Sequence, residues 1–272
     1  ARTRAQMLAQ LATAFPEQPP AAREAIGRAS LRHLAWLAAE VATLDTYRER
    51  LPAYVTFAPG AEERLRELVA RGRGLVYVTG HVGNWELMAQ RVAVVAPVMA
   101  VARAGNEPRL NALVGRIRAA AGVGTIWRED PASARALLGT LKSGKVLGIL
   151  IDQDTRVQGL FVPFFGRDAY TPRAASDLAL RFGAPLLVGT SSRRGPGWRD
   201  GHEMRLTAVE YDAAPPDREA EVLRMTAACT ALLEAAIRER PEEWVWMHER
   251  WKRRPPEGEA SSMPKSRAIT AG

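Results

Sequence analysis

The sequence predicts a single α/β domain with a central, largely parallel sheet flanked by helices and preceded by a helical N-terminal segment. Three observations carry this. Short apolar runs alternate with amphipathic stretches of about ten residues from Pro52 onward. That alternation is the pattern of a sheet covered on both faces. The 272 residues, 47% apolar and 25% charged, suffice for one large core and exclude disorder as the main state. The longest apolar stretch, Val92 to Ala102, falls short of the ~18 residues of a membrane-spanning helix.

Taken in order, Thr3–Ala14 and Ala21–Leu44 carry apolar residues at helical spacing, with Ile26, Leu34, Leu37, Val41 and Leu44 on one stripe. Pro16, Pro19 and Pro20 separate the two helices. The second helix either lies on a membrane surface by its Trp36 and Leu37 face or packs on the sheet. Helix Glu62–Ala70, strand Leu75–Val78, helix Asn84–Ala96 and strand Val98–Val101 follow. Next come helix Leu110–Ala121, strand Thr125–Trp127, helix Ala132–Lys142 and strand Val146–Ile151. Helix Pro172–Phe182, strands Leu186–Gly189 and Met204–Val209, and helix Arg218–Arg240 complete the body. The domain therefore runs over residues 1–254, with 1–50 as its helical part, and the polar, Pro- and Ser-bearing stretch 255–272 reads as a disordered tail. The chain begins at Ala1 in an Arg-rich, helix-prone stretch without a signal pattern, which fits a trimmed upstream segment.

Charge says less than it first suggests. The formal net charge is +8, and only Lys142, Lys145, Lys252 and Lys265 are lysines among 38 basic residues. An arginine excess suits phosphate and carboxylate partners, but with so much alanine it also fits biased base composition. The arginines spread along all the helices with no aromatic–basic motif, so nucleic acid is not an expected partner. Cys229, the lone cysteine, excludes an internal disulfide and reads as core.

Ligands of an open α/β sheet sit beyond the carboxyl ends of its strands, so the loop after the first apolar run is where chemistry is expected. It reads Thr79-Gly-His81-Val-Gly-Asn84-Trp85-Glu86-Leu87. Asn84 is placed to cap the next helix. With His81 in the turn and Glu86 in the first helical turn, the carboxylate can fold back on the imidazole, making a general base and its orienter. The other histidines, His33, His202 and His248, are scattered singly, so the spacing is not that of a metal site. Gly139 to Val146 imitates a phosphate-binding loop but lacks the Ser or Thr after the lysine, and no G-x-S-x-G nucleophile is present.

The stretch Gly80 to Leu87 resembles the H-x4-D/E motif of the lysophospholipid acyltransferase superfamily, in its bacterial lipid A (late, HtrB-type) acyltransferase branch. Four further blocks are similar to that branch. They are Val101-x-Arg103-x-x-Asn106-x-Pro108-x-Leu110-Asn111, Leu150-Ile-Asp152-Gln153-Asp154 running on to Gly166, Thr171-Pro172 through Pro185, and Trp244-Val-Trp246-Met-His248-x-Arg250-Trp-Lys252. Ala14-Phe15-Pro16-Glu17 fits the family's beginning, and the likeness covers about residues 5–255.

The resemblance implies that His81, held by Glu86, takes the proton of an acceptor hydroxyl, which attacks a fatty acyl thioester. Arg103 would bind phosphate or polarise the carbonyl, and Asp152 would be a positioning carboxylate. Asn84 and Asp154 are further candidates at the substrate, with the bland alternatives of turn-shaping and a loop ion pair. Arg116 and Arg118 read as a solvated helix face. Leu160 to Phe165 either lines the acyl site or packs in the core. No metal or cofactor is expected; acyl carrier protein or acyl-CoA would be the co-substrate, and an anionic glycolipid or phospholipid the acceptor. The expected place is the cytoplasmic face of a bacterial inner membrane, peripheral or anchored by a segment absent from this chain. A lysophospholipid or phosphatidylinositol mannoside acceptor, or a non-catalytic lipid- or acyl-carrier-binding module, are the alternatives.

Overall fold

The computed structural model describes residues 2–43 and 48–256. Leu44 and almost all of the tail expected at 255–272 lie outside the described residues. Helices α1 (Arg2–Ala14) and α2 (Pro20–Ala42) precede a short α3 (Leu51–Tyr54) and strand β1 (Val55–Phe57). Then α4 (Ala61–Ala70), β2 (Leu75–Thr79), α5 (Trp85–Ala93), β3 (Val98–Ala102), α6 (Pro108–Ala120), β4 (Val123–Trp127), α7 (Ser133–Lys142) and β5 (Val146–Leu150) alternate. A hairpin of β6 (Gly159–Phe164) and β7 (Arg167–Pro172) leads to α8 (Ala174–Phe182), β8 (Leu186–Arg193), β9 (His202–Ala208) and α9 (Arg218–Glu239).

The expected α/β architecture is the observed one. Seven strands form one sheet in the order β1-β9-β8-β2-β5-β3-β4. The strands β8, β2, β5, β3 and β4 run parallel, while β9 runs antiparallel to β8 and carries β1 beside it. One face packs on α7, α8 and α9 through Leu141, Ala179, Leu180, Val222, Met225 and Cys229. The other packs on α4 and α5 through Leu65, Leu68, Leu87, Met88 and Val92. Periodicity located these helices because each buries one stripe. Strand β1 and the pairing of β6 with β7 were not anticipated; β1 is only three residues long, and β6, for which a core strand was one of the readings, alternates weakly around Pro163.

Of the two readings of Leu160 to Phe165, the core is the one observed. Phe164 and Phe165 join Phe15, Trp244, Trp246 and Trp251 in an aromatic cluster with ring centroids 4.6–6.3 Å apart. Arg250, fully buried, holds the hairpin from within by donating to the Tyr170 carbonyl (2.6 Å) and to Thr171 Oγ1 (2.5 Å).

The choice left open for α2 resolves toward packing, and its buried face is polar. Ser30, His33 and Glu40 are buried one or two turns apart. Ser30 Oγ donates to the Trp244 carbonyl (2.7 Å), and His33 Nε2 meets the Gly83 carbonyl (3.1 Å). The Glu40 carboxylate accepts from Asn84 Nδ2 (2.8 Å), Tyr54 Oη (2.6 Å), His202 Nε2 (3.1 Å) and the Arg193 guanidinium (2.7 Å). Trp36 lies against Arg193 and Arg32, its ring centroid 5.2 and 5.4 Å from their guanidinium carbons.

Burial opposes the Glu40 charge, and its hydrogen-bond partners still hold the carboxyl well below the usual range. Removing such a carboxylate strands the Arg193 charge in the interior. Glu40→Ala is expected to lower the unfolding free energy by about 3–5 kcal/mol. The midpoint of a urea titration checks this, and a loss below about 1 kcal/mol would refute the clamp.

Candidate active site

The loop between β2 and α5 is held at both ends. Asn84 Oδ1 accepts from the Leu87 amide (3.1 Å) and so caps α5, as its position in the sequence suggested. Gly83 has φ 61°, and a Cβ there would meet the Ser191 carbonyl oxygen at 2.1 Å, so only glycine fits. Both polar atoms of Asn84 are consumed, one by the cap and one by Glu40. Asn84 therefore shapes the turn and does not face substrate.

Asp152 lies at the end of β5, which pairs with β2 along its whole length, from Leu75↔Val146 to Thr79↔Leu150. This register brings Asp152 beside His81, 71 residues away in the chain. His81 Nδ1 lies 2.8 Å from Asp152 Oδ1, the His81 amide donates to Oδ2 (2.7 Å), and Trp244 Nε1 donates to the same oxygen (2.8 Å). The Asp152 side chain is wholly buried. Burial by itself would raise its pKa, but His81 and Trp244 together hold the carboxyl far below the ordinary range. An ionised carboxylate only accepts, so His81 Nδ1 carries the ring proton and Nε2 presents its lone pair.

The expectation that Glu86 orients the imidazole is overturned. Glu86 stands in the first turn of α5 and points to α6, where Arg118 grips it with two bonds, Nε to Oε2 at 2.9 Å and Nη2 to Oε1 at 2.5 Å. Arg118 is accordingly not on a solvated face; its side chain is 13% exposed. Five residues of spacing allowed a His–Glu contact, but the helix start aims the Glu86 side chain away. Asp154 is also withdrawn from substrate. Its carboxylate binds the Arg253 amide (3.0 Å) and guanidinium (3.2 Å), the loop ion pair weighed against a binding role.

His81, Trp85, Glu86, Arg103, Arg118 and Gln153 stand around a cavity of about 520 Å³. It descends between β3 and β5, which pair only from Val98↔Val146 to Ala100↔Gly148. Beyond that point the strands part, and Val101, Ala102, Ile149 and Leu150 line the gap. Deeper walls come from Met88, Ala89, Val92 and Leu137. From Leu150 to Val146 the slot runs the length of a five-residue strand, ~13 Å. The Trp85 indole meets the His81 ring edge-on, centroids 4.9 Å apart. Arg103 is exposed at the mouth with Arg128 also on the lining.

Two residues that spacing treated as unrelated join the site. Gln153 Nε2 lies against the His81 ring, 3.0 Å from Nδ1 and 3.1 Å from Nε2, and 2.5 Å from His248 Nε2. The two imidazole centroids are 5.4 Å apart. Burial, reinforced by His81, pushes His248 down to about 4, so it stays neutral. No sequence spacing could reveal this, since His248 arrives from the segment after α9 carrying Trp244.

Compared with known proteins, residues 1–253 match the family model described as "Bacterial lipid A biosynthesis acyltransferase". The chain belongs to that family. Within it, the chain is 28% identical over 197 residues to the "Lipid A biosynthesis lauroyltransferase" of Escherichia coli K12, covering 71% of this chain and 61% of that protein. It is 27% identical over 195 residues to the "Lipid A biosynthesis palmitoleoyltransferase" of the same organism, covering 71% and 60%. The matches thus span about three fifths of the length of these relatives. Among the described residues of this lipid A acyltransferase family member, no helix is long and apolar enough to cross a membrane.

The two carboxylates near the loop are separable by kinetics. Asp152→Asn removes the anion that fixes the His81 tautomer, so kcat should fall by about 10²- to 10⁴-fold and the acid limb of the pH–rate profile should move to lower pH. Glu86→Gln should leave that limb in place and act on KM. The opposite pattern in steady-state kinetics would return the orienting role to Glu86.

Buried groups around the site also set how stability varies with pH. His33, like His248, is pushed down to about 4 by burial, whereas burial raises Glu243 to about 7. The unfolded chain takes up the histidine protons near pH 6.5 and the native state near 4, so each histidine removes stability as pH falls through that window, by up to about 3 kcal/mol. Glu243 acts with the opposite sign, protonating first in the native state. Glu243→Gln should therefore show a steeper loss of stability than the wild type between about pH 7 and 4.5 in urea titrations, and equal slopes would refute this balance.

Proposed function

We propose that this protein is an O-acyltransferase that moves a fatty acyl chain from a thioester to a hydroxyl of a lipid A precursor-type glycolipid. The single observation that carries the reading is the juxtaposition of the His81–Asp152 pair with the mouth of the apolar slot. The slot's volume lies within the range of ligand pockets, and its wall is mostly apolar, which suits an alkyl chain. Family membership supports the reading, as do the relatives' names, which describe lauroyl and palmitoleoyl transfer in lipid A biosynthesis.

In this mechanism the acyl chain enters between β3 and β5 and leaves its thioester carbonyl beside His81. His81 Nε2 takes the proton of the acceptor hydroxyl as its oxygen attacks the carbonyl carbon; the C–S bond then breaks, and the proton passes to the departing thiolate. Asp152 holds the ring and stabilises the imidazolium. Glu86 acts through Arg118, keeping a guanidinium fixed at the mouth. With Arg103 and Arg128 it makes a cationic rim suited to phosphate on the donor or the acceptor. The donor is acyl carrier protein or acyl-CoA thioester, and the work takes place at the cytoplasmic face of the inner membrane, where such a thioester meets a lipid acceptor.

The test is lipid mass spectrometry after incubating bacterial membranes with acyl thioesters of several lengths. A gain of one acyl mass on a phosphorylated glucosamine lipid is expected with the wild type and absent with folded His81→Ala. Gly148→Val should shift the transferred chain toward shorter lengths. A Cβ at 148 has only ordinary contacts, 3.8 Å to Ala100 Cα, so the added methyls enter the slot. A His81-dependent gain on a phospholipid or mannolipid would reassign the acceptor, and full activity of His81→Ala would overturn the mechanism.

A further inference from the structure

Helix α6 differs from every other α-helix among the described residues in that none of its 13 residues is buried. Its inner side is half-buried, with Ile117 against the core and Arg118 on Glu86. Its outer side leaves two large apolar side chains in water, Leu110 at 56% and Leu113 at 44% exposure. Arg109 and Arg116 are exposed beside them. At about 3.6 residues per turn, Arg109, Leu110, Leu113 and Arg116 fall within about 120° of the helix circumference. The helix carries three arginines and no acid, and among the described residues the guanidiniums of Arg109 and Arg116 have no ionic or hydrogen-bonding partner. On α4, by contrast, Arg66 is matched by Glu62 one turn away.

This face is fixed at the mouth of the apolar slot. Helix α6 follows β3 at the carboxyl edge of the sheet, and the residues between them are tied down. Asn111 bonds both the amide and the carbonyl of Gly105 (2.9 Å each), the Ala104 amide donates to Glu129 (2.9 Å), and Glu107 accepts from the Arg109 amide (3.0 Å) at the helix start. Arg103, on the cavity lining, opens the same stretch. Two leucines on the outer side of a helix, between unpaired cations, match a partner that is anionic at its surface and apolar just beneath. An anionic bilayer has that structure, and long arginine side chains can stay with its headgroups while leucines pass below them. We propose that the outer face of α6 docks on an anionic lipid surface, inserting Leu110 and Leu113 below the headgroups that Arg109 and Arg116 contact, and so turns the slot mouth toward the membrane holding the acceptor. This deepens the acyl-transfer reading, which needs a lipid acceptor to reach His81, but the docking is measurable without catalysis.

The test sediments the full chain with vesicles of phosphatidylcholine alone and of phosphatidylcholine with phosphatidylglycerol. The wild type is expected to bind the anionic vesicles at least about tenfold more tightly than the neutral ones, and to lose that preference as salt rises. Leu110→Ser combined with Leu113→Ser should weaken anionic-vesicle binding by about 10- to 100-fold, and Arg109→Gln combined with Arg116→Gln by about tenfold, with urea midpoints unchanged because all four side chains are exposed. Leu31→Ser, at a comparably exposed leucine of α2 (46%), should bind as the wild type does. His81→Ala should bind normally while transferring nothing, so failure of the base mechanism and failure of docking are read separately. In transfer assays the leucine pair should slow acylation of an acceptor held in vesicles and leave the rate within about twofold on an acceptor in detergent micelles. A wild type that ignores anionic vesicles, a leucine pair that binds them fully, or a Leu31→Ser that loses as much would overturn the proposal. It also falls if the α6 variants keep vesicle affinity and lose rate with acyl carrier protein thioester but not with acyl-CoA, which would make this face a protein-docking site.

Discussion

Burying the charge of Asp152 is the constraint from which the rest of the site follows. A carboxylate wholly out of water is tolerated only when its oxygens are met by donors, and three are supplied by two distant segments: the His81 amide, the His81 ring and the Trp244 indole. Glycine at 80 eases this close approach, since a Cβ there would sit 3.0 Å from the carboxylate. Trp244 can donate only because the segment after α9 is fastened back, its own carbonyl accepting from Ser30 and that of its neighbour Glu243 from the Gly83 amide. The electrostatic demand of one side chain thereby ties the end of β5, the loop after β2, the helix α2 and the C-terminal segment into a single unit.

A second buried carboxylate, Glu40, lies on the far side of the same loop and explains why α2 has so polar a buried face. It reaches Asn84, the cap of α5, while its remaining contacts bind Tyr54 of α3 and Arg193 and His202 of the neighbouring strands β8 and β9. The two anions brace the loop from opposite sides. The Nε2 position of His81 is therefore set by hydrogen bonds whose partners are themselves immobilised, the arrangement that a general base needs for its angular precision.

Helical periodicity made the body legible, because the stripes that hold Leu65, Met88 and Met225 are dictated by burial alone. The loop after β2 was legible for a related reason: strand ends, glycines and a capping asparagine have local signatures. What connects His81 to its partners is not local. Asp152 is 71 residues away and Gln153 reaches His248 across 95, so these contacts depend on β5 lying between β2 and β3 and on the return of the C-terminal segment. A carboxylate five residues from the histidine was the nearer candidate in sequence, and the start of α5 turned it toward Arg118. Leu160 to Phe165 stayed ambiguous for a similar reason, since an apolar run looks the same whether it meets a ligand or the indoles of Trp244 and Trp251.

The arginine excess shows why placement outweighs composition. Many arginines spend their charge on neighbours in the same helix, as Arg66 does with Glu62, Arg71 with Glu67, Arg224 with Glu221 and Arg238 with Glu234, pairs on exposed surface worth little energetically. A net charge of +8 is consequently a poor guide to any partner. At the cavity mouth the situation differs, because Arg103 and Arg128 from the ends of β3 and β4 converge with Arg118 from α6 on one rim above an apolar slot. A ligand matching both features has an anionic end and a long aliphatic one, with the bond between them lying beside His81. A phosphate-bearing acyl thioester, the donor proposed above, has that form, which is why the charge pattern and the slot both support that proposal.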